Sequence, residues 1–169
     1  MEKNERMKKY LYLVLPILLM VCHSNAQKKT KESRVYPITK SEVEWKATLS
    51  DMGFYVLREA GTERAFSGPL NKFYEEGLYV CAGCQTPLYE STYKYDSKSG
   101  WPSFDRGIDE NIEYDVDYKI GYARTELKCK MCGGHLGHMF EDGPRNTTGK
   151  RHCINSAALA FIPKEDVKE

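Results

Sequence analysis

Residues 122–140 read YARTELKCKMCGGHLGHMF, and this stretch decides the architecture. Tyr122, Arg124, Glu126 and Lys128 alternate with Ala123, Thr125, Leu127 and Cys129. That is the period-two pattern of a half-buried strand, so a strand is expected within residues 120–128. The strand runs into Cys129-x-x-Cys132, and a second knuckle, Cys81-x-x-Cys84, precedes it with 44 residues between the two. Two paired knuckles let four thiolates converge on one tetrahedral ion such as zinc, with no position left open for chemistry. A redox CxxC and a pair of disulfides are the competing readings. The redox form usually follows a strand and opens a helix, which Gly133-Gly134 would break.

Outward from this stretch the chain keeps the same character back to about Phe66. Gly, Pro and Tyr are frequent, and short runs such as Leu78-Tyr79-Val80 and 158–162 are bounded by turn residues, as expected of strands. Before them, Ser41-x-x-Glu44 is a capping box opening a helix from Glu42 to about Leu49. Ser50 caps a second helix that Gly61 ends. The expected fold is one mainly β domain, antiparallel, with short N-terminal helices; 169 residues and 41% hydrophobic content fit a single domain.

The first residues differ from the rest. Lys3, Arg6, Lys8 and Lys9 precede an apolar run over 11–21, and Ser24-Asn25-Ala26 offers small residues where a signal peptidase reads. Eleven residues are too few to span a bilayer, which takes about 20. Residues 1–26 are therefore read as a cleaved export signal, 27–40 as a linker and 41–169 as the domain. The mature protein would be periplasmic or secreted, with a retained membrane anchor as the alternative. Removing 1–26 takes away four basic and two acidic residues, turning 25 against 24 into 21 against 22 and the net charge to −1. No electrostatic footprint for nucleic acid remains. Of six cysteines, Cys22 leaves with the signal and four belong to the knuckles, so Cys153 is the one uncommitted thiol of the mature chain.

Three features surround that thiol. Arg151 and Asn155 lie two residues either side of Cys153 and project with it if the segment is extended. A cation there lowers a thiol pKa and raises the nucleophilic thiolate fraction; an inert buried cysteine is the plain alternative. His135 and His138 follow the second knuckle directly, so that Cys129 and Cys132 would fix the backbone that carries them. A surface or metal-binding pair is equally compatible with H-x-x-H alone. Gly100-Trp101-Pro102-Ser103-Phe104 holds a tryptophan in a rigid turn, where its face would suit a methyl group or a polarised sulfur.

Taken in order, CxxC, Gly100-Trp101-Pro102-Ser103-Phe104, CxxC with residues 134–140, Asp142-Gly143-Pro144 and Arg151-His152-Cys153-Ile154-Asn155-Ser156 resemble the B-type methionine sulfoxide reductases. The resemblance covers about 41–162. It implies two small antiparallel sheets of the β-tent type, with one structural zinc on Cys81, Cys84, Cys129 and Cys132. It also implies reduction of methionine R-sulfoxide in proteins and peptides, hence protein repair under oxidative stress. By position, Cys153 is the nucleophile, His135 and His138 are the active-site histidines, Asn155 and Arg151 organise the site, and Trp101 with Phe104 binds substrate. Thiolate attack on sulfur requires a proton for the departing oxygen, which a histidine near neutral pKa supplies. Cys153 is left as a sulfenic acid that a thiol must reset.

One position departs from the family. Many members carry a resolving cysteine just before the Trp turn, whose disulfide thioredoxin then reduces; here it is Ser99. An external thiol, thioredoxin-like or other, is therefore expected to reduce Cys153 directly. The protein is expected to act as a monomer without nucleic acid. Two other classes compete: a zinc-knuckle binding module, which predicts a basic face, and an exported thiol–disulfide oxidoreductase, which predicts a redox-active CxxC. Neither accounts for Trp101, His135 and His138.

Overall fold

The computed structural model describes residues 34–167; the expected signal segment and Cys22 lie outside the described residues. Helix α1 spans Glu42–Thr48 and α2 Asp51–Glu59. Both start where the sequence predicts. The Ser41 hydroxyl accepts from the Glu44 N–H while the Glu44 carboxylate accepts from the Ser41 N–H, and Ser50 Oγ accepts from the Gly53 N–H. The end of α2 differs in detail. Ala60, not Gly61, takes the left-handed position (φ 51°). Gly61 is needed for closeness instead, since a Cβ there would sit 2.2 Å from the Tyr55 ring.

Nine strands follow among the described residues, forming two antiparallel sheets. β1 (Gly77–Cys81), β2 (Pro87–Glu90) and β9 (Leu159–Pro163) make the smaller, in the order β2-β1-β9. The larger has six strands in the order β3-β4-β8-β7-β6-β5. These are β3 (Lys94–Tyr95), β4 (Ser103–Phe104), β5 (Ile112–Asp117), β6 (Arg124–Cys129), β7 (His135–Phe140) and β8 (Arg151–Ile154). The mainly β, two-sheet architecture is as expected. β6 begins at Arg124, four residues past the start of the stretch 120–128 expected to hold it. Ile120 to Ala123 belong to the β5–β6 turn, where Gly121 has φ 88° and its N–H donates to the Tyr118 carbonyl. Alternation alone does not distinguish a strand from an exposed turn with the same polarity.

The core lies between the sheets and the helices. Tyr79, Val80, Leu88, Tyr89, Phe104, Leu127, Leu136 and Ile154 are fully buried, with Trp45, Val56 and Leu57 supplied by the helices. Phe104 stacks on Tyr89 (ring centroids 4.3 Å) and meets Tyr79 edge-on (5.1 Å). The expectation that Phe104 binds substrate is therefore corrected. On so short a strand Ser103 and Phe104 take opposite faces, and the face of Phe104 is the core. The stretch read as a linker also ends against the body. The Ile38 N–H donates to the Met131 carbonyl (2.8 Å), and the Tyr36 ring covers Gly133.

If Phe104 is core, Phe104→Ala lowers unfolding stability by about 3–5 kcal/mol in urea titration. An unchanged midpoint with a raised KM would return it to the substrate pocket.

Candidate active site

The two knuckles have the same backbone. In the first, Cys81 N–H donates to the Thr86 carbonyl and Gln85 N–H to the Cys81 carbonyl, with Gln85 at φ 61°. In the second, Cys129 N–H donates to the Gly134 carbonyl and Gly133 N–H to the Cys129 carbonyl, with Gly133 at φ 70°. Gly133-Gly134 thus close a turn. One knuckle leaves β1 of the small sheet and the other leaves β6 of the large one. The four sulfurs lie within 4.8 Å of one another, with Cys81 to Cys132 at 3.7 Å and Cys84 to Cys129 at 3.5 Å. A tetrahedral ion with bonds of about 2.3 Å separates its sulfurs by roughly 3.8 Å, so these four residues fit a metal ion. Arg58 donates to the Cys132 carbonyl at 2.9 Å, pinning α2 to the second knuckle.

Three residues past Cys132, β7 begins at His135. Register partners cross the large sheet in one row: Ser103, Cys153, His138, Glu126 and Asp115. Directly opposed residues place their Cβ atoms about 4.5–5.5 Å apart, so Cys153 and His138 stand side by side. Two residues on, Arg151 pairs with Phe140 and Asp117 with Arg124. This polar face is the reverse of the one that carries Leu127, Cys129 and Phe104 into the core.

In regular alternation His135 and His138, three apart, face opposite ways. The register shifts between Leu127 and Lys128, so that Leu127 opposes Gly137 and Lys128 opposes His135. This bulge makes Leu136 the extra residue and turns both histidines to the same side. His138 Nε2 lies 2.8 Å from Asp117 and His135 Nδ1 lies 2.7 Å from Glu126, and the rings sit 5.2 Å apart edge to face. Asp117 is held ionised, well below the usual carboxylate range, first by the Lys119 N–H and then by His138 and Arg124. An ionised acceptor assigns the proton to His138 Nε2 and leaves Nδ1 its lone pair.

A pocket of about 120 Å³ is lined by Cys153, His138, Trp101, Asn155, Arg124 and Phe140, among others. Of the expected site residues, four share it: Cys153, His138, Trp101 and Asn155. His135 lies behind His138, on a neighbouring cavity. Arg151 shares the face of Cys153, but its guanidinium forks onto Asp142 with two bonds of 2.8 Å and lies over the Phe140 ring. Trp101 and Asn155 are fixed through Glu63, which the sequence reading passed over. The Glu63 carbonyl accepts from the indole N–H (3.1 Å), and its N–H donates to Asn155 Oδ1 (3.0 Å). Its buried carboxylate takes the N–H groups of Ser156 and Ala157. No local signal marks Glu63, whereas the alternation that shows β6 does place Arg124 and Glu126 on one face.

Ser99 Oγ lies 3.7 Å from the Cys153 sulfur and 2.8 Å from Ser97 Oγ. Burial pushes the Cys153 thiol above its ordinary range, while Ser99 and Arg151 pull it down. The expected lowering by Arg151 is thus present but outweighed. Burial also pushes the His138 imidazolium below its ordinary range, against Asp117. Both shifts favour the neutral pair, thiol and imidazole, in the resting protein.

The sequence profile of the SelR domain family matches residues 49–163. The chain is 46% identical over 129 residues to the peptide methionine sulfoxide reductase MsrB of Alteromonas mediterranea, covering 76% of this chain and 90% of that one. To the protein of that name from Chromohalobacter salexigens it is 47% identical over 129 residues, 76% of this chain and 97% of the other. For Burkholderia lata the figures are 46% over 131 residues, 77% and 92%.

A thiol with a raised pKa stays protonated further up the pH scale. Alkylation of Cys153 by iodoacetamide should therefore be slow at pH 7 and climb roughly tenfold per pH unit above it. A rate already at its plateau at pH 7 would contradict the burial-dominated thiol.

Proposed function

The chain belongs to the SelR domain family, the B-type methionine sulfoxide reductases, and from that premise we propose that Cys153 takes the oxygen from methionine R-sulfoxide in peptides and proteins. The observation that carries this reading is the pairing of Cys153 with His138 across β7 and β8, in a pocket walled by Trp101. The Cys153 sulfur attacks the sulfoxide sulfur. The thiol proton passes to the lone pair of His138 Nδ1 and from there to the sulfoxide oxygen, Asp117 stabilising the imidazolium between the two transfers. The protonated oxygen then passes from the substrate sulfur to the Cys153 sulfur as the bond between the two sulfurs breaks, so that methionine is released two electrons reduced and Cys153 becomes a sulfenic acid. Trp101 bears on the substrate methyl, which fixes the epimer.

Cys81, Cys84, Cys129 and Cys132 would hold one zinc ion, whose role is to close the four thiolates and join the sheets. Those four are the other cysteines among the described residues, and Ser99 stands where a resolving thiol would. The sulfenic acid is then reset by two equivalents of an external thiol, releasing water and a disulfide. The basic start, the apolar run 11–21 and Ser24-Asn25-Ala26 support export, with residues 41–169 as the domain.

Single turnover on separated epimers, without reductant, tests the cycle. About one methionine per protein forms from the R epimer alone, and Cys153 gains roughly 16 daltons; loss of two hydrogens would reveal a resolving cysteine. Cys153→Ser abolishes turnover and keeps its metal. Cys81→Ser, or a strong chelator, costs solubility and cooperative unfolding, and a stable, fully active metal-free protein would refute the structural ion.

A further inference from the structure

The pocket that holds Cys153 adjoins a much larger cavity, about 400 Å³ against about 120 Å³. The larger one lies between the end of α2 and the β5–β6 turn, with Tyr55 and Ile120 among its walls. Thr62, Arg124 and His138 line both, so the two meet at the catalytic histidine. Lys119 Nζ donates to the Ala60 carbonyl at 3.1 Å, which ties the turn to the helix end.

Size separates the occupants of the two cavities. The small pocket suits one sulfoxide head, namely methyl, sulfur, oxygen and a methylene. A free amino acid seated there leaves the larger cavity empty, whereas a polypeptide must send its next residues somewhere. An extended chain leaving the small pocket past the shared wall of Thr62, Arg124 and His138 enters the larger cavity directly. The turn itself is apolar beyond need. Ile120 is 52% exposed between Tyr118 and Tyr122, which are 68% and 60% exposed, a patch of the kind that marks an interaction surface.

The geometry points to this second cavity as the subsite for a residue neighbouring the sulfoxide in a polypeptide substrate, one that prefers an apolar side chain. The inference rests on the reading of the Cys153 pocket given above. Aspartate in that neighbouring position would face Glu59, Asp117 and Glu126, while the two cations of the lining are already engaged, Lys119 by the Ala60 carbonyl and Arg124 by Asp117, which selects further for apolar over acidic partners.

The test compares kcat/KM for three substrates: N-acetyl-methionine-R-sulfoxide methylamide, a pentapeptide with Phe on both sides of the sulfoxide, and the same peptide with Asp there. The unaltered protein favours the Phe peptide over the Asp peptide by roughly tenfold or more. Ile120→Asp, on an exposed turn where folding does not depend on it, lowers the ratio of the Phe peptide to the blocked residue by at least about fivefold. Val43→Asp, equally apolar and exposed on α1, leaves that ratio where it was. Equal rates on the two peptides, or an Ile120→Asp ratio matching the unaltered one, would overturn the subsite. An unaltered protein that reduces none of the three would overturn the reading of the Cys153 pocket itself.

Discussion

The convergence of four sulfurs is the constraint on which the rest of the structure depends. Each sheet contributes one knuckle, Cys81 and Cys84 from β1 and Cys129 and Cys132 from β6. Neither sheet has much independent claim to its position, because the smaller has only three short strands and three strands are about the least that is stable with a buried face. Joining them at one point fixes their relative placement. The helices are held at the same junction: Arg58 bonds the Cys132 carbonyl, and Leu57 lies so close to Gly134 that a Cβ there would meet it at 2.8 Å. β7 starts three residues past Cys132, so the strand with both histidines leaves from the most constrained part of the chain.

The reactive face follows from strand register. Cys153 acquires His138 as a neighbour because β8 and β7 are in that register and no other. A slip of β8 by one residue would turn the Cys153 side chain toward the core and away from His138. The contact is close enough that Gly137 is obligatory, since a Cβ on it would lie 2.0 Å from the Cys153 carbonyl oxygen. On the same face the carboxylates of Asp117 and Glu126 fix the orientation of each imidazole. Such supporting partners commonly matter nearly as much as the groups they orient.

Burial then sets the chemistry. It raises the Cys153 thiol and lowers the His138 imidazolium, so the resting proton stays on sulfur. Arg151, the expected activator, shares its charge with Asp142 through a bidentate pair, which leaves less of it for the thiol. The Ser99 hydroxyl occupies the space beside the sulfur, and as an oxygen it offers a hydrogen bond where a thiol would offer a disulfide.

Much of this was legible in the chain. The helix starts at Ser41 and Ser50, the paired knuckles, the alternation of β6 and the uncommitted Cys153 are properties of neighbouring residues, and local spacing encodes local geometry directly. The site was legible in its members more than in its arrangement. Phe104 reads as a pocket residue beside Trp101 and proves to be core, because which face of β4 turns inward is settled by β3 and β8. His135 and His138 look like equal partners, and the bulge at Leu136 does turn both to one face, yet only His138 stands opposite Cys153. Glu63 and Asp117 carry no local mark at all, being distant in sequence from the groups they hold. The sequence by itself determined which residues could do the chemistry and where the chain would turn. Only the tertiary structure decided which of them meet, because register and burial are set by pairings between segments far apart in the chain.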